Sequence, residues 1–243
     1  MRTITLQGLR GGVGTTSITA MLGDALHRQG QHVLLVDLNP ADILRLFFNV
    51  SHQEPYGWAG ALSRQQAWYE HAYRVAPYLD LLAYGRRGLD TSSTHSAVSE
   101  ERAAAFWLES IPLLRHAYDW LIIDLPAAST HFSRLQQESD LDLCIASVDA
   151  ACHVLLAQTT LRPECHIVPS LFDPSKTLAN DILLEWRYEY ARHMIPVPVH
   201  RDEAVHEALA SKTTVNMLYP ESMGASDARS LATWIMAKTN ASV

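Results

Sequence analysis

The sequence predicts an α/β protein built on a mostly parallel central β-sheet flanked by helices. Three observations lead there. Short apolar runs alternate with longer stretches of helical periodicity. The apolar runs are unbroken, as in WLIID at 120–124, which is how a strand covered on both faces reads. A glycine-rich loop joins the first run to the first helix.

Taken in order, the first strand covers residues 4–6 and the glycine loop follows. In the helix predicted over 16–28, Ile18, Met21, Leu22, Ala25 and Leu26 recur at i, i+3, i+4, i+7 and i+8, one core-facing stripe. Further strands are predicted at 33–36, 79–83, 120–123, 143–147 and 166–168, and further helices at 101–116, 151–159, 181–192, 203–210 and 226–238. In 51–56 and 86–99, Gly, Ser, Thr and His replace the periodic pattern. Both read as long loops within one domain spanning 1–243, because neither flank could close a sheet alone.

Composition narrows the function. A chain of 243 residues buries roughly 70% or more of its unfolded surface, enough for a core without staples. With 48% hydrophobic and 19% charged residues it is neither disordered, collagenous nor coiled coil. A net charge of −7 and only three lysines (Lys176, Lys212, Lys238) argue against binding nucleic acid through bulk charge. No window approaches the ~18 consecutive apolar residues of a membrane span. MRTITLQGLRGG is not the start of a secretory leader, so a cytoplasmic protein is expected. Cys144, Cys152 and Cys165 are too few for a disulfide framework. The pairs Cys152-His153 and Cys165-His166 match no metal-finger spacing and read as packing.

The chemistry is concentrated in Gly8-Leu9-Arg10-Gly11-Gly12-Val13-Gly14-Thr15-Thr16-Ser17. Glycines between a strand and a helix allow positive φ and close approach to an anion. The amides of residues 11–16 can then form a phosphate nest at the helix N-terminus. Two nucleotide readings compete. Gly8, Gly12 and Gly14 fit the GxxxGxG loop of short-chain NAD(P)-dependent oxidoreductases, with Asp37 placed to hold a ribose hydroxyl. That enzyme class needs a Tyr-x-x-x-Lys pair, and no tyrosine here has lysine four residues on.

The other reading matches at more points. Arg10–Ser17 resembles the K-G-G-x-G-K-[ST]-[ST] loop of the ParA/MinD family of deviant P-loop ATPases. VLLVDLNP at 33–40 resembles its V-D-x-D-P segment, and YDWLIIDLP at 118–126 its Walker B strand. MIPVPVHRDEAVHEALASKTTV resembles its I-P-x-x-I-P-R-D segment, which is followed by a helix and a short strand. The resemblance spans nearly the whole chain and implies a MinD-like P-loop NTPase fold that binds ATP and Mg2+. By that likeness Arg10, Gly11, Gly12, Val13, Gly14, Thr15, Thr16 and Ser17 surround the phosphates. Thr16 holds the metal, with Asp124 acting through water, and Pro198, Arg201 and Asp202 lie beside the base. Asp37 and Asn39 occupy the hydrolytic segment.

Four departures alter that chemistry. Thr15 stands in place of the lysine that contacts the β- and γ-phosphates, and offers only a hydroxyl. Arg10 replaces the family lysine that reaches a dimer partner's nucleotide, and keeps the charge with a bidentate grip. Asn39 replaces an aspartate that orients or deprotonates water, and an amide cannot take the proton. Ser170 stands where relatives read the base with asparagine. The resemblance thus implies an ATP-sandwiched homodimer with little or no hydrolysis, a regulatory or scaffolding protein. Its competitor is a working ATPase switch cycling between monomer and dimer.

QGLRGGVGTTSITA, LRLFFNV, GWAGAL, LDLLAYG, SVDAACHVLL and HRDEA are similar to the ParA/MinD-type members of bacterial cellulose-secretion operons. That likeness implies a small partner, BcsR, and cellulose synthase and secretion components, with membrane contact only peripherally through them. The final segment, SLATWIMAKTNASV, has one lysine and too little charge for a lipid-surface helix. Its stripe of Leu231, Trp234 and Ile235 reads as core.

Overall fold

In the computed structural model, which describes residues 1–85 and 98–240, the apolar runs assemble into one seven-stranded sheet. The elements follow in order: β1 (Arg2–Gly8), α1 (Thr15–Arg28), β2 (Val33–Asp37), α2 (Trp58–Ser63), β3 (Tyr73–Ala76), β4 (Leu79–Leu82) and α3 (Glu100–Ser110). Then come β5 (Trp120–Leu125), α4 (Ser133–Gln137), β6 (Leu141–Ser147), α5 (Ala150–Ala157), β7 (Cys165–Ser170), α6 (Thr177–Glu189), α7 (Glu203–Ala210), α8 (Val215–Leu218) and α9 (Met223–Asn240). The strand order is β3-β4-β2-β5-β1-β6-β7, parallel throughout except where β3 runs antiparallel to β4.

The pleat sorts each strand between two apolar layers. In β2, Val33 and Leu35 join the layer of Met21, Leu22, Leu231 and Ile235, from α1 and α9. Leu34 and Val36 join the opposite layer, with Trp58, Trp107 and Leu135 from α2, α3 and α4. This double burial is why the strands carry no polar alternation. The final helix packs as expected: Leu231 and Ile235 are buried, and Trp234 lies edge-on to His166 at 5.5 Å between ring centroids. Among the described residues no helix is long and apolar enough to cross a membrane.

Several elements differ from expectation. β3 was not foreseen; it is short, bulged between Arg74 and Ala76, and only half-buried. The helix predicted to reach 116 stops at Ser110 and continues as a 3-10 turn, Ile111–Leu114, because Pro112 cannot donate to an α-helical ladder. α6 begins at Thr177, a turn ahead of the predicted start. The short strand expected after α7 is the helical turn α8. Residues 51–56 form no helix or strand, as expected, and the other predicted loop lies largely outside the described residues.

Both borders of the sheet are dressed. β3 closes one side, its Arg74 paired with Asp80 of β4 at 2.5 Å. On the other, residues 193–201 run along β7: Ile167 N–H donates to His193 O at 2.8 Å and Val199 N–H to Pro169 O at 2.8 Å. The chain leaves β1 toward β2 on one side, and after β5 crosses to β6 on the other. The loops part there, at the carboxyl ends of the strands, which is where open α/β sheets bind ligands.

Candidate functional site: a glycine loop above two buried aspartates

The loop between β1 and α1 needs its glycines. Gly12 and Gly14 sit at φ 78° and 87°, the left-handed region that side chains disfavour. A Cβ at Gly8 would lie 2.6 Å from Thr15 Oγ1 and 2.8 Å from the Arg10 carbonyl oxygen. Val13 is buried, and its carbonyl accepts the Ser170 hydroxyl at 2.8 Å, which ties the loop to the end of β7. Ser170 is therefore a loop anchor, a role its residue type alone did not announce. No side chain caps α1, so its first-turn N–H groups face the loop as an anion-binding end.

Beneath the loop lie two carboxylates that the register sets side by side, Asp37 on β2 opposite Asp124 on β5. Both are fully buried. Thr16 Oγ1 donates to Asp124 Oδ2 at 2.6 Å, while Asp124 Oδ1 has no hydrogen-bond partner. Burial raises the Asp124 carboxyl to about 7, with the Thr16 bond pulling the other way. Burial, then the nearby charges of Asp124 and Asp42, push Asp37 well above the usual carboxylate range. A hydroxyl beside a carboxylate with an unpartnered buried oxygen is a donor set that suits a hard divalent cation and its water shell.

Asp37 is committed to the backbone. Its Oδ1 accepts from Asn39 N–H at 2.9 Å and its Oδ2 from Leu44 N–H at 3.3 Å, and its carbonyl accepts from Trp58 Nε1 at 2.8 Å. A side chain so enclosed cannot hold a ribose, which removes the dinucleotide reading. Asn39 is half-buried, and its Oδ1 accepts from Ala41 N–H at 3.1 Å, so it shapes the turn after β2.

Arg10 folds back onto its own chain. Its Nη2 donates to Asp149 Oδ2 at 2.6 Å and to Ser147 Oγ at 3.0 Å, at the junction of β6 and α5. Asp149 is the N-cap of α5, accepting from Cys152 N–H at 2.8 Å. Partial burial would raise its carboxyl, but Ser147, Cys152 N–H and Arg10 outweigh this and hold it below the usual range.

Beside the loop a cleft opens between α1 and residues 199–206, lined by Gly12, Ser17, Met21, Val199, His200 and Asp202 among others. Of the three residues expected at the base, only Asp202 lines it; Pro198 and Arg201 do not. Asp202 is also a structural clip, its Oδ1 accepting from Ala204 N–H at 3.0 Å and its Oδ2 from Gly224 N–H at 2.8 Å. His200 Nδ1 lies 3.0 Å from Asp227.

The family described as cellulose biosynthesis protein BcsQ matches residues 1–236. The chain belongs to the BcsQ family. It is 35% identical over 239 residues to the BcsQ of Salmonella typhimurium (strain LT2), covering 97% of this chain and 94% of that one. The Escherichia coli (strain K12) BcsQ is 34% identical over 241 residues, with the same coverage. Among solved structures, a chain of the Aquifex aeolicus MinC:MinD cell division protein complex superposes with a TM-score of 0.77 at 15% identity, covering 98% of this chain and 96% of that one. MinD of Pyrococcus horikoshii OT3, complexed with Mg-ADP, gives 0.72 at 20%, covering 96% and 95%. The fold is that of the MinD/ParA P-loop NTPases.

Within this BcsQ-family chain, sequence reasoning missed two site residues. Asp149 carries an N-cap signal, an acidic residue just ahead of a helical stretch, but nothing in the pattern links it to Arg10. Gln7 straps the segment after β5: its Nε2 donates to Pro126 O at 2.9 Å and Ser129 O at 2.8 Å, while Ala128 N–H donates to Gly8 O at 3.1 Å. No local signal marks a glutamine within a strand for that task. The cysteines are unpaired, and among the described residues no group of three or more His, Cys, Asp or Glu is placed to hold a metal.

Proposed function

We propose that this BcsQ-family protein folds as a single MinD/ParA-like unit, binds ATP with Mg2+, and is closed by it into a symmetric homodimer with little or no hydrolysis. In that state it serves bacterial cellulose biosynthesis and secretion as a regulatory or scaffolding component. The observation that carries this reading is the Thr16–Asp124 pair below a glycine loop that lacks lysine. Thr16 and, through water, Asp124 would hold the cation; the loop amides and Arg10 would hold the phosphates. Bound nucleotide would supply the negative charge that joins two Arg10-bearing loops.

Arg10 must leave Asp149 to do this. The pair is about one-third exposed on each side, and such ion pairs contribute ~0–1 kcal/mol, so release costs little. Nucleotide binding at 100 times Kd stabilises the closed state by about 2.7 kcal/mol, which dominates. Sedimentation velocity with Mg2+-ATP is expected to show dimer for the native protein and monomer for Arg10→Ala. A persisting dimer would remove Arg10 from the bridge.

Hydrolysis is limited by Asn39, whose amide cannot accept a proton. General-base assistance is typically ~10²–10⁴-fold, so Asn39→Asp is expected to raise turnover at least tenfold. An unchanged rate sinks that explanation, and ADP released from freshly purified protein would favour a cycling switch. The partners that fit this role are the small protein BcsR and the cellulose synthase and secretion components, which would keep the protein at the inner membrane periphery.

A further inference from the structure

We infer that the groove between α7 and the α8–α9 link is a docking surface for a basic partner segment carrying an apolar anchor. Tyr219, 41% exposed, lines it, and Met217 and Met223, 66% and 52% exposed, flank the lining segment in sequence. Ala204, Leu218, Tyr219 and Pro220 line the trough. Its charged lining is Glu207 and Glu221, both exposed. Glu207 lies close enough to the Tyr219 hydroxyl to push its pKa above the ordinary value.

Two arginines adjoin the groove, and each is already held by a partner of its own. Arg28 pairs with Asp24 through Nε at 3.0 Å and touches Met217 Sδ through Nη2 at 3.4 Å, while Arg229 Nη1 donates to Pro220 O at 2.8 Å. The groove is also held in shape before any partner arrives. Asp202 joins α7 to the start of α9 through its two carboxylate oxygens, so docking orders little that is not already ordered.

Charge selects the occupant. An apolar trough flanked by carboxylates repels an anionic lipid surface, and a second copy laid groove to groove would set glutamate against glutamate. A Lys or Arg segment instead pairs with Glu207 and Glu221 while its apolar side chain fills the space against Leu218 and Tyr219.

The test places a photo-crosslinking benzoylphenylalanine at position 219 in cells that naturally make the protein, and sequences the adduct. The expected adduct is a segment of another protein with at least two Lys or Arg flanking an apolar residue. Synthesised as a peptide, that segment is expected to bind the purified protein at least tenfold more weakly to Glu207→Lys/Glu221→Lys. It should also bind more weakly to the milder Glu207→Gln/Glu221→Gln, and unchanged to Glu203→Gln. The glutamine pair, with an unchanged melting temperature, answers the question if charge reversal disturbs folding. An adduct to a second copy, to a segment without basic residues, or no adduct overturns the proposal, as does binding indifferent to both pairs of substitutions.

Discussion

Arg45→Met is expected to destabilise the protein by about 3–5 kcal/mol in urea unfolding at pH 8, the usual effect of stripping one partner from a buried ion pair. Arg45 and Asp42 have side chains 0% and 3% exposed, with Nη1 2.7 Å from Asp42 Oδ2. The same Nη1 donates to Glu54 O at 3.0 Å and Nη2 to Tyr73 Oη at 3.3 Å, so the guanidinium binds the segment after β2 to the 51–56 loop and to β3. Without it the Asp42 carboxylate is buried with no counter-charge. Burial already pushes that carboxyl up while Arg45 pulls it down, so the loss should be smaller at pH 5, where protonation can relieve it. Arg45→Met/Asp42→Asn should recover much of the deficit, since asparagine tolerates the left-handed φ of 54° at that position. A single-variant effect below 1 kcal/mol would show that the pair does not matter to stability.

Asp124→Asn is expected to stabilise the metal-free protein above pH 7 and, on the proposed function, to abolish any stabilisation by added Mg2+-nucleotide. The folded carboxyl titrates at about 7 against an ordinary 3.8. Between those values the native state keeps a proton that the unfolded chain has released, so stability falls as pH rises through this window. Above pH 7 the full penalty for an ionised, buried carboxylate applies, on the order of 4 kcal/mol. Asparagine carries no such penalty. Melting curves at pH 5 and pH 8 without metal should therefore show a gain for the variant that grows with pH. Equal differences at both values would mean that Asp124 is already charge-compensated in the native state.

The parallel strands were legible because burial on two faces leaves a continuous apolar signature. β3 was not, since a half-exposed YRVA pairs through a bulge and owes its place to the neighbouring β4. The helical turns α2, α4 and α8 are too short for an apolar stripe to declare itself. In the site, the glycine loop and Asp124 stood out because backbone freedom and a strand-end carboxylate are local requirements. The bonds that decide what those residues can do were not local. Arg10 meets Asp149, Ser170 meets Val13, and Gln7 meets Ser129, each across more than a hundred positions. The Asp42–Arg45 pair is three residues apart and could be suspected, but its burial depends on β3 and the 51–56 loop.

The dressed borders of the sheet bear on how the molecule behaves in a crowded solution. A bare strand edge is a template on which further chains add and aggregate. Here one border ends in a short, bulged strand carrying Arg74, and the other has its carbonyls and amides occupied by residues 193–201. Strand addition between copies is therefore blocked at both ends, and self-association is left to loops and side chains. Stickiness of the backbone will not masquerade as assembly, so a concentrated sample without nucleotide should stay free of fibrils and of thioflavin fluorescence.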